Sequence, residues 1–227
     1  MEKVIILGAS DGLGKAIAGL CEEEEKIEVV NISRTPCNVS NVVNITCDLS
    51  KEKDIDNAVS IIKKRHSDFD VIINCAAIVA MEKVNEITYP KFERAFKINT
   101  IAPLYFISSL FDTIVKNEAD ILNIGTTADL KAGFNDQLAY TSTKWGLRGG
   151  SYNIGLELAK TKSRMIYVHC GGMNTQLHEK DYGKKIEDPS EWMNPKDVAN
   201  IILYLLRLSK QIEITEITIS RKKRRLI

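Results

Sequence analysis

The chain opens on Lys3-Val-Ile-Ile-Leu-Gly-Ala-Ser-Asp-Gly-Leu-Gly14, and the reading of this stretch decides the fold. Val4, Ile5, Ile6 and Leu7 form an apolar run too short for a helix of its own, suited to a strand buried on both faces of a parallel sheet. Gly8, Gly12 and Gly14 punctuate the turn that follows, and Lys15 to Cys21 continue with helix-compatible residues. Such a unit sets a helix N-terminus, with its unpaired N–H groups and positive dipole end, where an anion can be held. Glycine serves there because a side chain would keep the backbone away from a pyrophosphate. The spacing is Gly-x-x-x-Gly-x-Gly, not the commonest Gly-x-Gly-x-x-Gly. Alone, it is compatible with a dinucleotide site or with an ordinary glycine loop.

Outward from this unit, strand and helix patterns alternate to the end of the chain. Further strands are expected at Glu28–Ile32, Val42–Thr46, Asp70–Asn74, Asp120–Gly125, Arg164–His169 and Ile214–Ser220. Between them, Lys51–His66 carries a recurring apolar face (Ile55, Ala58, Val59, Ile61, Ile62). Lys91–Lys116 reads as helical with an interruption near Asn99 to Pro103, where proline removes a backbone donor. Gln137–Ala159 is the next helix, and Pro195 opens another through Leu208. The pattern predicts an α/β fold, a single Rossmann-type doubly wound parallel sheet of about seven strands with helices on both faces. No repeat or low-complexity linker divides the 227 residues, so one domain over 1–227 is expected. Residues 171–194 are the one long irregular stretch and read as a short substrate lid.

Composition removes several function classes. The net charge of +1 gives no field to recruit nucleic acid. Five cysteines without a Cys-x-x-Cys pair, and three histidines at no ligand spacing, argue for free thiols and against a metal site. No apolar run approaches the roughly 18 residues that span a bilayer, and the start leaves no room for a signal peptide. A cytoplasmic protein without membrane contact is expected.

Tyr140-Thr-Ser-Thr-Lys144 lies at the start of a helix, and residues four apart share a helical face. A cation beside a phenol favours phenolate and should bring Tyr140 into use as a general acid. With seven tyrosines in a lysine-rich chain such a pair arises readily by chance. Its weight comes from order, because it follows the fifth strand of a chain that opens with the glycine turn.

These motifs, taken together, resemble the short-chain dehydrogenase/reductase (SDR) family over nearly the whole chain. Gly8, Gly12 and Gly14 match the family's cofactor turn, with Ser10, Asp11 and Leu13 between them. Asp48, followed by Leu49, matches the acidic residue expected at the adenine ring. Asn74-Cys-Ala-Ala77 resembles the family's Asn-Asn-Ala-Gly with two replacements, and Ala76 falls within it. Asn99 falls on the helix asparagine that steadies a relay water, Tyr140 and Lys144 on the catalytic pair. Thr175 falls on the threonine at the nicotinamide side. Cys170-Gly171 stands where Pro-Gly is usual. The family's serine, thirteen residues before the tyrosine, is here Thr127, which keeps the hydroxyl but adds a stiffening methyl. Thr126 is the second candidate for that role.

The cofactor is read from the end of the second strand. In dinucleotide folds a carboxylate there holds the ribose 2′-OH of NAD, whereas arginine accommodates a 2′-phosphate. Ser33 and Arg34 occupy these places, so NADP(H) is expected over NAD(H). The resemblance implies hydride transfer on a small carbonyl or alcohol substrate, with Lys144 also at the nicotinamide ribose. It also implies a homodimer or homotetramer built through the helices of Asn99 and Tyr140. The rival is an NADP(H)-binding regulatory or scaffold protein with little or no turnover. Trp192, in the lid, is expected to wall the pocket; Trp145 fits a pocket wall or a helix interface equally. The basic run 221–225 reads as a solvated tail or subunit edge, and Cys75 and Cys170 as buried inert thiols.

Overall fold

The computed structural model describes residues 1–23, 27–130, 135–177, 179 and 188–222. The seven expected strands form in order: β1 (Lys3–Leu7), β2 (Glu28–Ser33), β3 (Val42–Thr46), β4 (Val71–Asn74), β5 (Asp120–Ile124), β6 (Met165–Cys170) and β7 (Glu216–Ile219). All pair in parallel, in the order β3-β2-β1-β4-β5-β6-β7. The helices are α1 (Gly12–Glu23), α2 (Glu52–Arg65), α3 (Tyr89–Phe96), α4 (Ala102–Ser109), α5 (Phe111–Lys116), α6 (Leu138–Leu158) and α7 (Pro195–Arg207). A π-helical turn, Lys97–Ile101, joins α3 to α4. Pro103 explains the local widening: in α-helical register the carbonyl of Asn99 would take its donor from residue 103, which has no N–H.

Alternation along β1 divides the core. Val4 and Ile6 pack with Leu13, Ile17 and Ala18 of α1 and with Val198, Ile202 and Leu206 of α7. Ile5 and Leu7 face the other way, into Ile55 and Ile62 of α2, Phe106 of α4 and Leu158 of α6. Helices thus cover both faces, as a parallel sheet requires. The strand order reverses direction between β1 and β4, and ligands of open α/β sheets bind at the carboxyl ends beside such a point. No helix among the described residues is long and apolar enough to cross a membrane.

The amino ends of the strands hold a buried ion pair. Arg164, just before β6, donates from Nη2 to Asp120 Oδ2 at 2.7 Å, with both side chains at most 5% exposed. The same guanidinium donates to the carbonyls of Leu206, Leu208, Ser209 and Ile212, tying the end of α7 and the approach to β7 to the sheet. Arg164→Ala is expected to destabilise the fold by about 3 kcal/mol, because it leaves the buried Asp120 carboxylate only the half-exposed Lys210 ammonium, 2.5 Å from Oδ1, as counter-charge. Urea unfolding measures the loss; a change within about 0.5 kcal/mol, the usual surface range, would show the pair to be dispensable.

Candidate active site

The glycine turn is built by close backbone approach. A Cβ on Gly14 would lie 2.1 Å from the carbonyl oxygen of Gly8, so only glycine lets α1 start against the end of β1. Gly8 adopts φ +89° and a Cβ there would meet the backbone of Ala76 at 2.9 Å; Gly12 adopts φ +55°. Asn31 of β2 completes the cradle. Its Oδ1 accepts the Ala9 N–H at 2.9 Å, while Nδ2 donates to Asn44 Oδ1 at 2.8 Å and to Ser33 Oγ at 3.1 Å. Sequence reading passes over Asn31, which lies in an apolar run; a lone asparagine amid buried valine and isoleucine was the available signal.

A cleft of about 2000 Å³ runs along the carboxyl ends of the strands. It brings together Gly8, Ser10, Asp11, Gly12 and Leu13 with Ser33, Arg34, Asp48, Leu49 and Ala76. Thr127, Tyr140, Lys144 and Thr175 line it as well. Three expected site residues stand behind that lining. Gly14 is packed against Gly8. Asn74 is buried at the end of β4 in register with Asn123. Asn99 in the π turn spends its carboxamide on neighbours: Oδ1 accepts the Ile78 N–H at 2.9 Å, and Nδ2 donates to the Ile78 carbonyl at 2.8 Å and to Thr143 Oγ1 at 3.1 Å. Asn99 therefore joins the loop after β4 to α6.

Tyr140 and Lys144 stand one turn apart on α6 and line the same cleft. Lys144 is 2% exposed, and its Nζ donates to the carbonyl of Ile124, at the end of β5, at 2.8 Å. Burial pushes its ammonium down from 10.5 to about 8, against the pull of Asp129, Cys170 and Cys75. Thr126 caps the 3-10 turn Thr127–Asp129, its hydroxyl accepting the Ala128 N–H at 3.3 Å, whereas Thr127 is half-buried at the cleft wall. Asp48 accepts from Ser50 N and Oγ at 3.0 and 2.7 Å. Burial pushes the Asp48 carboxyl up, but the Ser50 hydrogen bonds, with Arg34 and Lys51 nearby, bring it below its ordinary value. Burial pushes the Cys170 and Cys47 thiols up to about 12 and Cys75 up as well, which keeps all three protonated and inert.

At the far end of the cleft Trp192 lies over Gly172, where a Cβ would come within 2.4 Å of the indole. A bridge between Met173 and Met193 closes the base of the irregular segment; its residues 178 and 180–187 lie outside the described residues. For Trp145 the pocket-wall alternative falls: it does not line the cleft but is 49% exposed on α6, beside Arg148. The start of the basic run is exposed, as expected of a solvated segment, and it borders the cleft. Arg221 and Lys222 line the cleft, and the Arg221 guanidinium stacks 4.6 Å from the Trp192 ring. Residues 223–225 lie outside the described residues. Among the described residues no cluster of His, Cys, Asp or Glu could hold a metal.

This arrangement is that of a known enzyme class. The short chain dehydrogenase family model matches residues 2–185, and the chain belongs to that family. It is 23% identical to an uncharacterized oxidoreductase of Staphylococcus aureus (strain MRSA252), over 95% of each chain. A short chain dehydrogenase family protein of Francisella tularensis superposes with a TM-score of 0.84 at 24% identity, covering 97% of both chains. An alcohol dehydrogenase of the archaeon Thermococcus sibiricus, complexed with 5-hydroxy-NADP, superposes with a TM-score of 0.83 at 20% identity over 96% of each. The protein is thus an oxidoreductase of the SDR type, acting on alcohol or carbonyl groups with a nicotinamide cofactor.

A buried ammonium costs stability, and the sign is testable. Below pH 8 the folded protein carries the charge on a side chain only 2% exposed; between about 8 and 10.5 it sheds the proton that the unfolded chain keeps. Lys144→Met should therefore be more stable than wild type at pH 7, by about 3 kcal/mol. The advantage fades as pH rises through that window. Urea unfolding of both proteins at pH 7 and 10 measures the difference.

Proposed function

We propose that this protein is an NADP(H)-dependent oxidoreductase that reduces a ketone or aldehyde carbonyl, or oxidises the alcohol, with Tyr140 as general acid and base. The observation that carries the reading is one cleft holding the glycine cradle, the Ser33–Arg34 corner and the Tyr140–Lys144 face together. The cradle fits a dinucleotide, since Gly8 and Gly12 present bare backbone at the start of α1 and a pyrophosphate suits a helix N-terminus. Ser33 and the exposed guanidinium of Arg34 fit a 2′-phosphate, with no carboxylate at the end of β2 to repel it. Asp48 and Leu49 would border the adenine, Ala76 and Thr175 the middle and nicotinamide end. The NADP derivative held by the Thermococcus enzyme is in keeping with this choice.

A bound nicotinamide supplies the hydride in one direction and accepts it in the other. The chain's residues handle the proton. Thr127 Oγ1 orients the substrate oxygen, and Tyr140 donates its phenolic proton to that oxygen as it gains charge. Lys144, charged at neutral pH, stabilises the phenolate left behind. Asn99, whose side chain joins the loop after β4 to α6, would steady the water that returns the proton from solvent, as the family resemblance implies. We take residues 1–227 as one domain, with 171–194 as its lid, in the cytoplasm. The exposed Ile101, Tyr105, Trp145, Tyr152 and Leu156 on and beside α4 and α6 fit a homodimer or homotetramer face.

Tyr140→Phe should abolish NADPH oxidation on a panel of ketones and aldehydes while leaving NADPH binding intact, as isothermal titration would show; full turnover in that variant refutes the mechanism. Wild-type protein that binds NADPH yet oxidises none across the panel would instead be a cofactor-binding regulator. For the cofactor, kcat/KM should favour NADPH over NADH. Arg34→Ala should cost NADPH about 1.5–3 kcal/mol, the worth of a charged hydrogen bond, with NADH unaffected. A wild-type preference for NADH overturns the assignment.

A further inference from the structure

Behind the cleft lies a cluster of buried polar groups that the reaction scheme leaves unused. Asp129, 0% exposed, ends the turn that carries Thr127. Its Oδ2 accepts the Thr126 N–H at 3.2 Å and the Tyr167 hydroxyl at 2.7 Å, and its Oδ1 pairs with His169 Nδ1 at 2.5 Å. Tyr167 and His169 alternate along β6, with their rings edge to face. Gly125 makes room for the tyrosine, since a Cβ there would fall 2.3 Å from its ring.

From this carboxylate the contacts reach the reactive helix. The carbonyl of Lys144 lies 3.1 Å from the Tyr167 hydroxyl. Arg148, one turn further along α6, donates from Nη1 to the Asp129 carbonyl at 3.0 Å and grips Glu216 of β7 from Nε and Nη2 at 2.8 and 3.1 Å. Glu216 Oε1 in turn stands 3.3 Å from His169 Nε2. For packing alone an apolar residue would serve as well as a buried carboxylate, which must be repaid in hydrogen bonds.

We propose that Asp129 is a positioning residue, whose buried carboxylate holds the hydroxyl-bearing turn Thr126–Thr127 in register with the Tyr140–Lys144 face of α6. The inference rests on the reading of that face as catalytic. Asp129 also acts on Lys144 through space. The titratable groups facing Lys144 are Asp129, Cys170 and Cys75, with Tyr140 one turn earlier on its own helix. With both thiols protonated, Asp129 is the anion that sustains the ammonium against burial.

The test compares full-length wild type with Asp129→Asn, which keeps the shape and removes the charge, and with Tyr167→Phe, which removes one donor. Misplacing a reacting group by about 1 Å can cost on the order of a hundredfold, so kcat of Asp129→Asn should fall at least roughly tenfold, with KM and NADPH affinity unchanged. Its alkaline limb of activity should also move to lower pH, because Lys144 loses the anion; a role in packing alone would not shift that limb. Tyr167→Phe should lower kcat without moving the limb. In both variants amide exchange across residues 124–130 should quicken. Wild-type kcat with an unmoved limb in Asp129→Asn overturns the proposal. Should that variant fail to fold, Tyr167→Phe decides: unchanged kcat and unchanged exchange of the turn overturn it equally. The exchange needs no substrate. A wild type that never oxidises NADPH would sink the catalytic reading, while the exchange would still decide whether Asp129 holds the turn.

Discussion

The contact between Gly14 and the carbonyl oxygen of Gly8 sets the geometry on which the site depends. With a would-be Cβ at 2.1 Å, no side chain fits, so α1 begins directly against the carboxyl end of β1. That approach aims the first turn of α1, with its unpaired N–H groups, across the edge where the strand order changes direction. Gly8 repeats the device toward Ala76, closing the turn against the loop after β4. The cleft is thus a consequence of backbone packing, and the side chains that line it are placed by a scaffold that owes them little.

One side chain is costly to that scaffold. Lys144 brings an ammonium into the interior, and its compensation consists of the Ile124 carbonyl and the field of Asp129. The helix that carries it is unusual for the same reason. Beside the buried Ala139, Leu147 and Leu158, α6 presents Lys144, Arg148 and Ser151 toward a polar row on the sheet. That row is formed by Asn123, Tyr167 and Glu216, register neighbours on β5, β6 and β7. A helix docked through polar pairs is fixed in rotation more strictly than one docked through interchangeable methyl groups, because each buried donor must meet its acceptor. Such strictness fixes where the Tyr140–Lys144 face meets the cleft.

Much of this was legible in the chain. The short apolar runs specified the strands because both faces of a parallel sheet are buried, and the glycine spacing marked the turn because only glycine tolerates those contacts. The interruption at Asn99 to Pro103 appeared as a π turn for the reason proline supplies. Long-range polar pairings left no such trace. Asn31 reaches Ala9 across 22 residues, and Asp129 reaches His169 across 40. Neither spacing follows a helical or strand period, so pattern reading had nothing to register. The surroundings of Trp145 left no trace either: periodicity reports a face, not whether that face borders the cleft or lies open.

The two ends of the sheet show how the protein separates firmness from chemistry. At the amino edge Arg164 and Asp120 form a buried pair whose remaining donors close on carbonyls of the chain itself, so all its hydrogen bonding is spent on the fold. At the carboxyl edge the polar groups divide. Asp129 accepts from Tyr167 and pairs with His169 Nδ1 in the interior, whereas Arg34, Arg221 and Lys222 stand exposed along the cleft. Arg221 is the instructive case, because its stack on Trp192 and its Nη1 hydrogen bond to the Glu191 carbonyl at 3.1 Å tie the stretch after β7 to the segment before α7. A cation–π contact at an exposed site is worth only about 0.5–1 kcal/mol and a hydrogen bond at the surface a similar amount, enough to bias the two segments together but too little to lock them. An edge that must admit and release a ligand needs contacts of that size, and the stronger pairings are confined to the interior behind it.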